Sequence, residues 1–225
     1  MEGNVDVSII RADFDRLALL SREEWDHNSH YHGFLLKHVP SHCSNALELG
    51  CGTGTFARLL AERADHVLAL DLSPQMIRIA QERSGHLSNI DFQVADALTW
   101  AFPPEQFDCI VSIATLHHLP VEQVLVKMKA ALAPNGALIV LDLFQASLSD
   151  MFTIMLAIPV NFVLKYLKTG RVRPPQAVRE AWAEHAQHDT YASLSQLRQI
   201  CRAILPGARV KKHLLWRYSL IWKKT

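Results

Sequence analysis

The shortages in this 225-residue sequence are its first information. Cysteine is sparse: Cys43, Cys51, Cys109 and Cys201 form no Cys-x-x-Cys pair and keep no regular spacing. Cys109 lies inside an apolar run, where a buried, reduced thiol is the ordinary state. Excess charge is absent as well, with 23 Lys and Arg against 22 Asp and Glu. The basic residues are dispersed, apart from Lys211-Lys212 and Lys223-Lys224, so the basic stripe of a dedicated nucleic-acid binder is missing. The uncharged stretch Met151 to Leu164 is interrupted by Pro159 and falls short of the ~20 apolar residues of a bilayer span. A buried or interfacial helix is expected there, without stable membrane insertion. Met1-Glu2-Gly3-Asn4 offers neither the basic region nor the apolar core of a secretory signal. With reduced cysteines, this points to the cytoplasm. Internal repeats and low-complexity linkers are also lacking.

What is present is apolar and organised. Hydrophobic residues make up 49% of the chain, enough for a sizeable core in one large α/β domain with a modest insertion. The first forty residues read as helical, with a capping box at Ser21-Arg22-Glu23-Glu24. From Asn45 the pattern alternates. Strands are expected at Ala46–Leu49, Val67–Leu70, Ile90–Val94, Phe107–Ile113 and Ala137–Leu141. Helices are expected at Thr55–Arg63, after Ser73-Pro74, and at Val121–Leu132, with a turn at Pro134-Asn135-Gly136. Near-continuous apolar strands separated by helices indicate a parallel sheet covered on both faces. The rhythm breaks after Asp142. A helix through Trp182 and His185 and another capped by Ser193-Leu194-Ser195-Gln196 precede a closing hairpin. In its tail, Leu214, Trp216, Tyr218, Leu220 and Trp222 alternate onto one face.

The stretch Glu48-Leu49-Gly50-Cys51-Gly52-Thr53-Gly54 turns a strand into a helix and lets the backbone come close to a ligand. Its glycines alternate as G-x-G-x-G, and Thr55 stands where the dinucleotide fingerprint has its third glycine. Glu48 would repel a pyrophosphate but suits an ammonium group or a bound water. Asp71 is placed to accept from ribose hydroxyls, Asp96 from an adenine amino group, and Leu72 and Met76 to sandwich the ring. Three acids after three successive strands are more than a set of helix caps.

Together with Leu70-Asp71-Leu72-Ser73, Val94-Ala95-Asp96-Ala97, Phe107-Asp108-Cys109-Ile110-Val111-Ser112 and Leu132-Ala133-Pro134-Asn135-Gly136-Ala137, that stretch resembles the ordered motifs of class I S-adenosylmethionine-dependent methyltransferases. The resemblance covers about Asn45 to Asp142. It implies a Rossmann-like sheet of seven strands with helices on both faces, the last strand antiparallel and inserted beside the sixth, and a helical lid after the fifth. The layout expected is a helical cap at residues 1–44, a cofactor core at 45–142, a lid at 143–192, and a closing helix and hairpin at 193–225. By resemblance, Glu48, Gly50, Cys51, Gly52 and Gly54 hold the methionine part of S-adenosylmethionine and Asp71 its ribose. Asp96 and Ala97 meet the adenine, Ser112 and Ile113 lie near the sulfonium, and Tyr31 reaches the carboxylate.

The implied reaction is an in-line displacement at the methyl carbon, in which the protein positions the nucleophile and excludes water. An oxygen nucleophile also needs a base. His117 and His118 follow the fourth strand; His185 and His188 share a helix face, with Asp189 able to orient an imidazole. These four are the base candidates, set against a plain solvated helix. His27, His30 and His32 lack the spacing and the carboxylates of a metal site, and no metal is expected. The reading is a small-molecule methyltransferase with a partly hydrophobic acceptor. Its alternatives are a catalytically silent cofactor-binding scaffold and a membrane-associated quinone or lipid methyltransferase. Ser112-Ile113-Ala114-Thr115 stands in place of the Asn-Pro-Pro-Tyr-like tetrapeptide of amino-group methylation on DNA bases or protein amides.

Overall fold

A computed structural model describes residues 7–20, 27–147 and 175–225, with 155, 159, 163, 166, 167 and 170 between them. The capping box at residues 21–24 lies outside the described residues. So does most of the uncharged run, of which Met155, Pro159 and Val163 are described.

Seven strands form one sheet: β1 (Cys43–Leu49), β2 (Ala64–Asp71), β3 (Ile90–Val94), β4 (Phe107–Ile113), β5 (Leu132–Leu143), β6 (Arg209–Lys212) and β7 (Arg217–Lys223). Their order is β3-β2-β1-β4-β5-β7-β6. The first five run parallel. β7 is antiparallel to both β5 and β6, between which it is inserted. This is the seven-stranded Rossmann-like architecture expected from the motifs. Strand order reverses between β1 and β4, the switch point outside which α/β sheets bind ligands.

Two apolar layers follow from the period of two along each strand. Leu138 and Val140 of β5 join Leu47, Leu49 and Ile110 on one face. That face is covered by α5 (Val121–Ala131) and α7 (Leu194–Ile204). Ile139 and Leu141 join Ala46, Val67 and Val111 on the other, under α2 (His32–Leu36), α3 (Thr55–Ala61) and α4 (Pro74–Ser84). Burying each such Leu, Ile or Val stabilises the fold by roughly 1.5–3 kcal/mol relative to exposure. A third layer packs Leu17 and Ala18 of α1 (Val7–Leu20) against Met76 and Ile79 of α4 and Ala181 of α6 (Gln176–His185). The N-terminal helix therefore lies between two elements far apart in sequence.

Local chemistry accounts for the helix starts. The Ser73 hydroxyl accepts from the Met76 amide at 3.1 Å, with Pro74 in the first turn of α4. Ser193 and Gln196 close a reciprocal capping box on α7.

Two local expectations are corrected. The Pro134-Asn135-Gly136 segment is a bulge within β5 rather than a turn before it. Phe107 pairs with Leu132 but Cys109 with Ala137, and Asn135 takes a φ of 65°. In the tail, only Tyr218, Leu220 and Trp222 alternate into the core. Leu215 and Trp216, both at φ 58°, make a left-handed turn that leaves Leu214 exposed.

Gly54 ends the glycine turn at φ 75°, and a Cβ there would stand 2.9 Å from the Phe92 ring and 3.1 Å from Ala80. Gly54→Ala should therefore cost about 2–4 kcal/mol from left-handed strain and overpacking. Gly33→Ala, with nothing within 4 Å of the added atom, should be close to neutral. Thermal unfolding of the two variants checks the contrast; equal melting temperatures would contradict it.

Candidate functional site

The site has two halves along the carboxyl edge of the parallel strands. The first is the glycine turn. The amides of Gly50 and Cys51 both donate to the Leu70 carbonyl, at 2.8 and 2.9 Å, which ties the turn to the end of β2. A Cβ on Gly50 would collide with the Thr115 side chain at 2.0 Å, whereas one on Gly52 would meet nothing within 4 Å. Gly50 and Gly54 are thus needed for packing, and the turn is open to a ligand above Gly52.

Asp71 faces this opening. Its carboxylate accepts from the Gly52 amide at 2.8 Å through Oδ2 and from the Ser73 amide at 2.9 Å through Oδ1. Burial raises its pKa to about 6 against the pull of those amides. Glu48 is 2% exposed, and its Oε2 has no hydrogen-bond partner. Burial, followed by the Asp71 charge, pushes its pKa well above the carboxylate range. An orphaned acid oxygen beside a second acid, next to open backbone, fits a cationic amino-acid group and a ribose better than a phosphate.

Other sequence-predicted residues lie as follows. Cys51 is buried, its thiol raised by burial and by Asp71 and Glu48, which makes it a packed residue. Leu72 is half-buried at the end of β2, whereas Met76 packs into the layer under α1. Asp96 uses Oδ1 to accept from the Leu98 amide at 2.8 Å, and Ala97 is buried beside it. The Ser112 hydroxyl donates to the Leu49 carbonyl at 3.1 Å and joins β4 to β1; Ile113 is half-buried. After it, Ala114 is held at φ 50°. Tyr31 is buried and donates its hydroxyl to the Leu214 carbonyl at 2.7 Å.

The second half gathers all four histidine candidates. His117 and His118 lie in a short 3-10 turn, Leu116–His118, just beyond β4. His117 Nδ1 is 2.6 Å from Oδ1 of Asp142 near the end of β5, and the same carboxylate accepts the His117 amide at 3.2 Å. Burial would raise Asp142, but the His117 imidazole and the Leu143 amide hold it below its usual range. His118 Nδ1 lies 3.2 Å from Asp189 Oδ1, without hydrogen-bond alignment. His185 Nε2 stands 3.5 Å and His117 Nε2 4.0 Å from that same oxygen. The Tyr191 hydroxyl donates to the other Asp189 oxygen at 2.5 Å. Burial opposes ionisation of Asp189, yet its neighbours His118, Tyr191 and His117 bring its pKa down to about 2. Burial lowers His118, with Asp189 opposing.

Asp13 of α1 adds a third acid, 3.2 Å from His185 Nδ1 and 3.0 Å from His188 Nδ1. Phe14 sets its ring edge-on to His118 and His185. The next acid on α1, Asp15, accepts from the Ser73 hydroxyl at 2.5 Å and the Gln75 amide at 3.2 Å. One helix therefore touches both halves of the site.

Sequence reasoning missed Asp13, Tyr191 and Arg217, and saw Asp142 only as the end of a strand. Arg217 is buried, donating to Asn28 Oδ1 at 2.8 Å and to the Leu215 carbonyl at 3.2 Å. An arginine opening an apolar strand was the available signal; Asp13 had none. His27, His30 and His32 do not form the cluster found: His30 packs on Tyr31 and His32 on Phe56. Among the described residues, the group that could surround an ion is His117, His118 and Asp189. No helix of the described residues is long and apolar enough to cross a membrane.

Known proteins resemble this chain in sequence and fold. Residues 46–136 match a family described as a methyltransferase domain. An uncharacterized methyltransferase of Mycobacterium tuberculosis is 29% identical over 205 residues, 89% of this chain and 98% of its own. A ubiquinone biosynthesis O-methyltransferase of Xylella fastidiosa is 29% identical over 163 residues, 68% of this chain and 64% of its own. Among solved structures, the N-methyltransferase NodS of Bradyrhizobium japonicum in complex with S-adenosyl-L-homocysteine superposes with a TM-score of 0.65. It is 20% identical and covers 96% of this chain and 98% of its own.

With its pKa raised to about 6, Asp71 is ionised at neutral pH and protonated at pH 5. If the carboxylate holds the ribose, affinity for S-adenosylhomocysteine should fall roughly tenfold from about pH 7.5 to about pH 5. Asp71→Asn should bind more weakly at neutral pH and give a shallower profile. Calorimetry at the two pH values checks this; a flat wild-type profile would contradict the assignment.

Proposed function

We propose that the chain is a class I S-adenosylmethionine-dependent methyltransferase that methylates a hydroxyl of a small-molecule acceptor held against the histidine–aspartate cluster. The observation that carries this reading is the convergence of His117, His118 and His185 on Asp189, beyond the end of β4. The bound cofactor supplies a methyl group activated by its sulfonium.

In this reading Glu48 and the open backbone at Gly52 seat the amino-acid part, and Asp71 seats the ribose. Asp96 and Ala97 border the adenine. The backbone from Ser112 to Thr115 separates the cofactor from the cluster and sets the direction of approach for the nucleophile. Imidazoles are the groups best matched to taking a hydroxyl proton near neutral pH. Asp142 orients His117 and Asp13 orients His185 and His188, so the cluster offers aligned nitrogens with the proton's destination already built. A thioether or tertiary amine acceptor, with no proton to lose, would need no such machinery. The relative from Xylella fastidiosa, a ubiquinone biosynthesis O-methyltransferase by name, supports an oxygen acceptor. The N-terminal cap and the segment before α7 serve as the lid, closing over the acceptor and excluding water.

The test is an acceptor panel of phenols, carboxylic acids, amines and thiols incubated with S-adenosylmethionine, with products read by mass. Methylated hydroxyl compounds are expected. Cofactor binding without turnover on any of them would overturn the assignment of the acceptor. On an active acceptor, Asp142→Asn should lower kcat by about 10²-fold or more at unchanged cofactor affinity. His188→Ala should cost less, because His188 lies at the outer margin of the cluster with its side chain 34% exposed. Equal turnover in wild type and Asp142→Asn would remove the cluster from the reaction.

A further inference from the structure

His117, His118 and Asp189 bring one ligand atom each within 4.8 Å of one another, with His117 Nε2 4.0 Å and His118 Nδ1 3.2 Å from Asp189 Oδ1, and the side chains of all three are only 6% exposed. Two of the three atoms, His118 Nδ1 and Asp189 Oδ1, are buried without a hydrogen-bond partner. Orphaned polar atoms at such depth are costly, and two of them 3.2 Å apart in one place call for a shared partner. We propose that this partner is a divalent transition-metal ion of the zinc type, held by His117, His118 and Asp189, with its fourth corner open on the side of His185.

Donor geometry supports the assignment. Metal–ligand bonds of about 2.0–2.1 Å at tetrahedral angles place donor atoms about 3.3 Å apart. From Asp189 Oδ1 the His118 and His117 nitrogens stand at 3.2 and 4.0 Å, on either side of that spacing. Nitrogen-rich donors with one carboxylate select zinc, cobalt or nickel over magnesium and calcium.

The surroundings match what holds metal ligands in place. A ligating histidine commonly gives its other nitrogen to a carboxylate, which fixes its tautomer and aims its lone pair. His117 does so at Nδ1 with Asp142 at 2.6 Å, and His185 at Nδ1 with Asp13 at 3.2 Å. Tyr191 occupies Oδ2 of Asp189 and leaves Oδ1 for the ion. Two ligands, His117 and Asp189, and the adjoining His185 thus have a partner on the side away from the common point.

The site rests on the proposed reading of the cluster in one respect: an acceptor hydroxyl at the open corner would have its pKa lowered by the metal, and His185, which holds no ion, would be the imidazole that takes its proton. The binding of the ion itself does not depend on the reaction. Its direct consequence is mechanical, since His117 and His118 follow β4 and Asp189 follows α6, so the ion ties the two together.

The experiment strips the full chain with a chelator and titrates it with Co2+, following the visible d–d absorption of a tetrahedral ion, then displaces it with Zn2+. One equivalent with low-micromolar or tighter affinity is expected. Asp189→Asn combined with His118→Gln should abolish the signal. Asp142→Asn, which touches no ion, should weaken binding about 10–100-fold through His117. S-adenosylhomocysteine binding by each variant confirms that the fold is kept. No saturable Co2+ signal, or a signal that survives Asp189→Asn with His118→Gln, would overturn the site. Asp71→Ala should lose cofactor affinity and keep the Co2+ signal, so failure of the metal site and failure of the methyl-transfer reading give different results.

Discussion

The parallel register of β1, β2, β4 and β5 is the constraint on which everything else depends. Pairing of Leu49 with Leu70 and with Ser112, and of Ile113 with Leu141, brings four strand ends to one edge. Asp71, Ala114, His117 and Asp142 then follow within a few residues of that edge. A one-residue slip of any strand would turn its terminal acid to the other face and its core residues to the wrong layer. Packing on both sides of the sheet makes such a slip prohibitive, so the apolar core and the chemical site are specified by the same hydrogen-bond ladder. Of the turn's three glycines, Gly50 and Gly54 are required by packing at this ladder's margin, while a Cβ on Gly52 would meet nothing.

Much of the fold was legible because it is local. A strand ending at Leu49, glycines at alternate positions, a serine before a proline: each dictates its geometry over a handful of residues, and the five parallel strands emerge with ends close to those expected. Where local signals compete, the reading slipped. Pro134-Asn135-Gly136 has turn chemistry, but the ladder from Phe107 to Leu132 continues past it and converts the turn into a bulge. The alternation of Leu214 and Trp216 continues that of the strand, yet two left-handed residues, Leu215 and Trp216, end it early.

The site divides in the same way. Glu48, Asp71 and the glycines sit in one continuous motif system and could be read directly. The histidines could be named, but not joined. Nothing in the neighbourhood of Asp13 announces that it meets His185, 172 residues away, and His188 beyond it. Those contacts are consequences of α1 lying between α4 and α6, and such a placement is a property of three-dimensional packing. Buried charge compounds the difficulty: Asp142 looks like an ordinary strand end until His117 is beside it.

The path of α1 has a consequence for the order in which the molecule is completed. During synthesis α1 emerges before the sheet, yet its Asp13 finds His185 and His188 only after those residues have left the ribosome. β5, which carries Asp142, stays an edge strand until β7 is made. The glycine turn packs on residues only as far as Thr115, just past β4. The nascent chain can therefore organise the half around the glycine turn early, while the histidine–aspartate half waits for residues 185–191 and for β7. A product truncated before His185, however well folded its glycine turn, would carry a histidine–aspartate cluster that was never assembled.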